Sequence, residues 1–549
     1  METCAKTDIL TYRPWSWALG AGLAGFIVYF GVWNLAFASD DVALIYRMRF
    51  FGWDGIRPFL LPETGAQGVG YQAYYRPFVV LFTAGEYLFW GTAPGGYHLS
   101  NLVVYSLTCS LVFLLVSEVV GSRFVGLATA LLFAVHPLHT MNVAWVSGRT
   151  DLFASFFILG SLLAFVHWSE SGKKRWIWIG LSAEFLGLCS KEIALLTPFL
   201  AVGAEWARVS HQDTHPPVST VLRKTAAWWV LPLLWGAMIA GSSPFLHSFS
   251  WAVSVREAFV NLAGSVVLLI SPLDYEVLLR WFAERPVLFV CAGALCGAGA
   301  LFAVWRTQGN RSTMLWGLIW LCVSIVPTYR ATMRWYLFLP SVGICMVLAS
   351  VCASFSERWR VSLVALLVLA FALGLANERR KWAIADAANR SALSSLLANA
   401  RGDSIGRVLI LTTPAKVRRM PVFGGNTESF FRIHGGTAGG VDVISHLALC
   451  DPLGVVKCSR RDATTMTLEL TEGEGEFLPL RARARLTERV VGVGDTMDSD
   501  AGTVVVAKLS KSGGVRAVDV SFPRAAFGDS RILLFTRGRF VPFTLPVEE

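Results

Sequence analysis

The chain has 549 residues, of which 54% are hydrophobic and 16% charged, with a mean hydropathy of +0.53. That balance excludes a soluble globular protein of this length and identifies a polytopic membrane protein. The formal net charge of +10 is distributed among loops, which suits anionic lipid headgroups better than nucleic acid.

Apolar stretches of spanning length are expected at 17–37, 97–119, 123–138, 151–168, 176–190, 192–207, 225–243, 286–305, 313–328, 335–354 and 360–376. They amount to about eleven transmembrane helices, with a shorter apolar piece at 257–272 read as re-entrant or interfacial. Lys and Arg collect at Lys6 and Arg13, Arg123, 173–175, Arg208 with Arg223 and Lys224, Arg306 with Arg311, and Arg358 with Arg360. By the positive-inside rule these loops are cytoplasmic, with the N-terminus inside. The cluster Arg379-Arg380-Lys381 disagrees, because it follows the last span on the outer side. A retained first anchor is expected, since the run ending at Ala36-Phe37-Ala38 is long for a signal peptide.

Two adjacent carboxylates, Asp40 and Asp41, follow the first span directly. They repel one another, so one should titrate abnormally or meet a cation, a metal or a proton donor, as a general base would. Capping of an interfacial helix by Ser39-Asp40-Asp41 is the structural alternative. Further on, Tyr75-Arg76-Pro77 and Tyr97-His98 stand in an aromatic stretch, and Arg76 could grip a phosphate in a fork. His136 and His139 precede Arg149, expected to bind an anion with Asp151 orienting it. Two histidines alone do not make a zinc site, so no metal ligand set is assigned, and a divalent cation is left open as a cofactor. In Ser190-Lys191-Glu192 the lysine either pairs with its neighbour or binds phosphate. Arg330 and Arg334, four apart on one helical face and followed by Trp335 and Tyr336, suit a phosphate or diphosphate headgroup. The GxGxxG match at 20–25 lies inside the first span and is read as helix packing, as are Gly293 and Gly297.

Beyond Ala376 a polar linker helix is expected over 377–402, and then a β-rich soluble domain over 403–549, with alternating runs at 407–412, 464–470, 503–509 and 531–536. The resulting organisation is a transmembrane domain over 1–376, a linker and a β-rich domain. Eight of the ten cysteines lie outside this tail. Cys450 and Cys458 could close a hairpin as a disulfide or remain two free thiols.

Asp40-Asp41, Tyr75-Arg76-Pro77, 96–101, 132–140, 148–152, Ser190-Lys191-Glu192 and 334–341, taken in order, resemble the GT-C class of membrane glycosyltransferases. The likeness is greatest to the protein O-mannosyltransferases that carry transmembrane and tetratricopeptide segments, and to their bacterial relatives. It covers roughly 15–400 and implies an inverting transfer of a mannose-like hexose from a polyprenyl-phosphate donor to an acceptor hydroxyl. The resemblance makes Asp41 or Asp40 the general base and gives the donor phosphate to Arg149, Lys191, Arg330, Arg334 and Arg76. His136, His139, Asp151, Glu192, Tyr75, Tyr336 and His98 would support the site. It also implies a protein, lipid or glycan acceptor, membrane lipids as partners, a bacterial inner-membrane location and a periplasmic β-rich domain. The tetratricopeptide repeats are absent here, so the acceptor is open. A transporter or flippase of a lipid-linked or anionic substrate, and an inactive glycosyltransferase-like scaffold, are the competing readings.

Overall fold

A computed structural model describes residues 14–48, 75–210, 217–242, 254–274, 277–278, 281, 284–306 and 311–400, together with the strands and some flanking residues between 407 and 542. The chain is a helical membrane protein with a C-terminal β-sheet region. Its helices are α1 (Pro14–Tyr29), α2 (Asp40–Met48), α3 (Pro77–Trp90), α4 (Pro94–Val120), α5 (Arg123–Ala134), α6 (Thr140–Ala144) and α7 (Arg149–Ser171). These are followed by α8 (Arg175–Leu188), α9 (Thr197–Ser210), α10 (Val218–Ser242), α11 (Val255–Ile270), α12 (Pro286–Arg306), α13 (Arg311–Ile325), α14 (Phe338–Ala353) and α15 (Glu357–Ala400).

Among the described residues seven helices are long and apolar enough to cross a bilayer, or eight if α5 and the turn beyond it count as one bent span. The remaining expected spans fall on α8, α10 and α12, outside that set. The bend of 49° follows α5, at His136-Pro137. Proline offers no N–H to the preceding turn and pushes the residue before it into extended backbone, where His136 sits at φ −66°, ψ 123°. Helix α11 has 16 residues and a Ser254–Glu257 capping box; at 1.5 Å per residue it reaches roughly 24 Å, short of the hydrocarbon core. Large apolar side chains such as Leu19, Ile27, Leu88, Phe89, Leu234 and Leu373 are exposed, as a lipid-facing surface requires.

The helix that carries the last expected span does not end at Ala376. Helix α15 runs unbroken for 44 residues, so the expected linker helix is the outer half of the same helix. No proline interrupts it, and its polar residues find partners along its length. At 1.5 Å per residue it measures about 66 Å, roughly twice the hydrocarbon thickness.

The strands are β1 (Arg407–Ile410), β2 (Thr413–Pro414), β3 (Lys416–Val417), β4 (Met420–Pro421), β5 (Gly440–Val443), β6 (Ala448–Leu449) and β7 (Val455–Arg460). Then come β8 (Thr465–Glu472), β9 (Phe477–Leu478), β10 (Thr496–Ser499), β11 (Gly502–Leu509), β12 (Val515–Ser521), β13 (Ser530–Thr536) and β14 (Arg539–Pro542). A four-stranded sheet has the order β14-β13-β1-β5, with β1 parallel to both of its neighbours. A larger sheet is built on antiparallel β7, β8, β12, β11 and β10. Strand β8 alternates half-buried and buried residues along its first six positions, the period that covers one sheet face. Cys458 on β7 is a free thiol 3.8 Å from the Met466 sulfur, and Cys450 lies outside the described residues.

Candidate active site

Residues 136–151 form a hub that draws the other loops of one end of the bundle together. Asp41 opens this network. It is fully buried, with Oδ2 accepting from the Ala38 amide at 3.0 Å and Oδ1 accepting from the Ser147 amide at 2.6 Å. The sequence places it there because α2 starts at Asp40 and turns its second residue inward, while Asp40 stays exposed. Burial pushes the Asp41 carboxyl up to about 7 against the pull of the two amides and the Ser147 side chain, and the Asp40 charge adds to the rise. The turn before it is held from outside the bundle. Ser39 sits in left-handed backbone at φ 50°, and its amide donates to the Val422 carbonyl of the β region. Trp145 Nε1 donates to the Ala38 carbonyl at 3.2 Å and packs edge-on against Trp335.

Arg149 stands two residues past Ser147 and is fully buried. Its guanidinium is bonded to Glu86, to Asn101 Oδ1 at 2.9 Å, to the Tyr97 carbonyl at 2.8 Å and to Thr83 Oγ1 at 3.4 Å. Asp151 does not orient it, contrary to expectation, because residues two apart on a helix point in different directions. Asp151 instead takes the Lys191 ammonium at 2.5 Å, while Lys191 also lies 4.5 Å over the Tyr336 ring. Lys191 does not pair with Glu192 either. Lys191 has extended backbone at φ −164° and Glu192 opens the next helical turn, so the neighbours diverge and Glu192 pairs with Arg76 at 3.2 Å. Burial lowers the Lys191 ammonium's affinity for its proton, and Asp151 offsets part of that effect. Tyr75 packs at a tilt against Trp235, ring centroids 5.1 Å apart, beside this cluster.

Arg334 is bonded to Glu378 and, at 2.7 Å, to Thr140 Oγ1, and its other terminus lies 3.8 Å from the Met420 sulfur on β4. Glu378 also takes Lys381, which reaches Asp274 at 2.6 Å. Arg330 and Arg334 do not share a helical face, because residues 330–333 leave helical geometry between two 3-10 turns. His139 bridges the Tyr105 hydroxyl at 2.9 Å and Ser341 Oγ at 2.8 Å, and His136 Nε2 meets the Leu269 carbonyl at 2.9 Å. These contacts brace the hub and occupy the ring nitrogens that a metal would need. Among the described residues no group of three His, Cys, Asp or Glu side chains could hold a metal ion. His98 is buried beside the Leu35–Ala36 backbone.

The site thus brings Asp41, Arg149, Asp151, Lys191, Glu192, Arg76, Tyr336 and Arg334 to one end of the bundle, but it gives each of Arg149, Lys191, Arg76 and Arg334 a carboxylate partner. Glu86, Asn101 and Glu378 were missed in the sequence. A lone Glu or Asn within an apolar helix was the available signal for Glu86 and Asn101, whereas Glu378 stands in the charged run 378–381 and offered none.

Protein O-mannosyl-transferase tmtc2 of Xenopus laevis is 39% identical over 199 residues, 34% of this chain and 23% of that protein. The mouse protein O-mannosyl-transferase TMTC4 is 26% identical over 403 residues, 60% of this chain and 54% of that one. The chain is a sequence relative of the protein O-mannosyl-transferases. Its matches to these two span about a quarter and about half of the relatives' own lengths. No protein-family model matches the chain. Among solved structures, ArnT from Cupriavidus metallidurans bound to undecaprenyl phosphate aligns with TM-score 0.46 and 11% identity, covering 79% of this chain and 92% of that one. The archaeal oligosaccharyltransferase AglB from Archaeoglobus fulgidus aligns with TM-score 0.41 and 14% identity, covering 72% and 59%.

Proposed function

We propose that this protein is an integral-membrane glycosyltransferase that moves a hexose from a polyprenyl-phosphate donor to an acceptor hydroxyl, with Asp41 as general base. The observation that carries the reading is Asp41 itself, a carboxylate buried at the loop end of the bundle and held by two amides, whose pKa burial pushes up to about 7. A base with its pKa close to the working pH combines the right protonation state with useful driving force. In this reaction the acceptor O–H loses its proton to Asp41 as its oxygen bonds to the anomeric carbon. The bond from that carbon to the phosphate oxygen breaks on the opposite face, inverting the centre, and the lipid phosphate leaves with the electron pair. The loop end is outside the cell membrane in this reading, facing the periplasm of a bacterium together with the β region.

Asp41 is closed off by Ala38 and Ser147, so the acceptor reaches it only when the Ser39 turn moves. The departing phosphate needs positive charge nearby. Arg149, Lys191, Arg76 and Arg334 each carry a carboxylate partner, so those pairs present little net charge to a ligand.

The test is a transfer assay with the purified full chain in proteoliposomes, using a radiolabelled polyprenyl-phosphate hexose and peptide, lipid and glycan acceptors. Label should pass to one acceptor class and stop in Asp41→Asn with folding retained. A fully active Asp41→Asn enzyme, or no transfer to any class, would overturn the proposal.

A further inference from the structure

A cavity of about 350 Å³ lies between the end of α1 and the outer half of α15. Its size is at the lower end for ligand pockets, about 300–1,000 Å³. Five of its lining residues carry polar side chains, Tyr29, Thr140, Arg379, Arg380 and Trp382, and Val32 and Leu35 supply apolar wall; the Thr140 hydroxyl is already engaged with Arg334. Leu35 is three residues before Ala38, the residue whose amide holds Asp41, so the cavity adjoins the proposed catalytic turn.

Two of the lining groups are buried donors without partners. Tyr29 is 0% and Trp382 4% exposed, and among the described residues neither the Tyr29 hydroxyl nor Trp382 Nε1 has a hydrogen-bond partner. Leaving such groups unmet costs about 1–3 kcal/mol each, and native structures normally account for them with a ligand, ion or water. The indole N–H can only donate, so whatever satisfies it offers acceptors.

Charge points the same way. Around this stretch of α15 stand five cations, Arg334, Arg379, Arg380, Lys381 and Arg390, of which Arg334, Lys381 and Arg390 pair with Glu378, Asp274 and Asp386. Five cations against three carboxylates leave two positive charges over. The cations left over are Arg379, which spends one nitrogen on the Val28 carbonyl at 2.6 Å, and Arg380, which is exposed. That bond also covers a carbonyl at the negative end of α1, where an anion would otherwise be disfavoured. On the same turn Phe30 and Trp33 are exposed at 56% and 44%, so the cavity stands beside a surface that faces lipid.

We propose that this cavity binds the phosphate of a lipid. Arg380 and Arg379 supply charge, Tyr29 and Trp382 supply neutral donors, and the apolar wall accommodates the first carbons of the chain. The two sources of that chemistry are the polyprenyl phosphate of the proposed donor, a choice that rests on the function proposed above, and an ordinary anionic phospholipid. The same site explains why Arg379-Arg380-Lys381 lies on the outer side against the positive-inside pattern.

The experiment is binding to the full chain in phosphatidylcholine nanodiscs, read by native mass spectrometry, with a short-chain polyprenyl phosphate, phosphatidylglycerol and inorganic phosphate as probes. Polyprenyl phosphate or phosphatidylglycerol should bind, whichever is tighter identifying the source. Arg380→Gln should weaken binding at least tenfold, and Trp382→Phe and Tyr29→Phe several-fold each. Tyr29→Phe keeps the ring and removes only the donor, whereas Trp382→Phe also removes one ring from a buried position, so the melting temperature of each variant is measured alongside binding, and a loss of binding counts only where folding is retained. Unchanged binding in all three variants, or binding of inorganic phosphate as tight as that of either lipid, would overturn the proposal. Lipid phosphate bound here by a chain that transfers no sugar would leave this inference standing and remove the proposed function. Transfer that continues with binding unaffected by the variants would do the reverse.

Discussion

Replacing Asp41 with Asn separates its electrostatic role from its structural one. The carboxyl titrates at about 7 in place of 3.8 because it is buried, a rise of about three units, or roughly 4 kcal/mol at about 1.4 kcal/mol per unit. The sign follows from where the proton resides. Between pH 4 and 7 the unfolded chain has released it and the native chain still holds it, so native stability falls as pH rises through that window. Above 7 the whole roughly 4 kcal/mol is lost relative to low pH. Asn does not titrate, and its side chain can accept from only one of the Ala38 and Ser147 amides, which costs about 1–3 kcal/mol. Asp41→Asn should therefore be less stable than the parent near pH 4 and equal to it or more stable near pH 8. Thermal unfolding of both proteins in the same detergent, at steps from pH 4.5 to 8.5, measures the difference and cancels every other titrating group. Sugar transfer by the parent should rise with pH through about 7 and be absent from the variant throughout. Parallel melting curves over the whole range would refute the reasoning, since they would mean that Asp41 does not titrate there.

Lys191→Met should strand the buried Asp151 and cost about 3–5 kcal/mol, and adding Asp151→Leu should recover most of it, as a thermal double-mutant cycle would show. Glu378→Gln should lower the melting temperature more than Arg334→Gln, because Glu378 serves both Arg334 and Lys381. Gly148→Ala places its methyl 2.2 Å from the Met141 carbonyl, which is backbone and cannot swing aside. About 1–3 kcal/mol of overpacking should follow, with transfer lost beyond what the melting shift explains, because Ser147 is the residue that holds Asp41.

Where the ionisable groups cluster was readable from the chain because membrane proteins restrict where charge can stand. Asp41, Arg149, Asp151, Lys191 and Arg334 were singled out as ionisable groups at the ends of apolar runs, and the structure places all of them at one end of the bundle. Their partners were not readable. Nearness in sequence suggested Arg149 with Asp151 and Lys191 with Glu192, whereas helix geometry sends adjacent side chains apart and finds partners 63 and 40 residues away. The same limit applies to the long helix. Apolarity ends at Ala376, yet nothing after it breaks a helix, and hydropathy alone could not show that Glu378, Lys381, Asp386 and Asn389 would each find a partner.

Those partners are far apart in time as well as in sequence. The turn before Asp41 is fastened by Asp386, which accepts from the Ala36 amide 350 positions earlier, and by Asn389, which donates to the Phe37 carbonyl 352 positions earlier. At a synthesis rate of about 5–20 residues per second, the first loop waits roughly 20 to 70 seconds for the segment that fixes it. Until the last helix has been inserted, the acid-bearing turn lacks its fasteners. A nascent chain that has threaded only its early spans therefore carries the Asp41 carboxylate before the contacts that fix its turn, and that geometry is complete only once the last helix is in place.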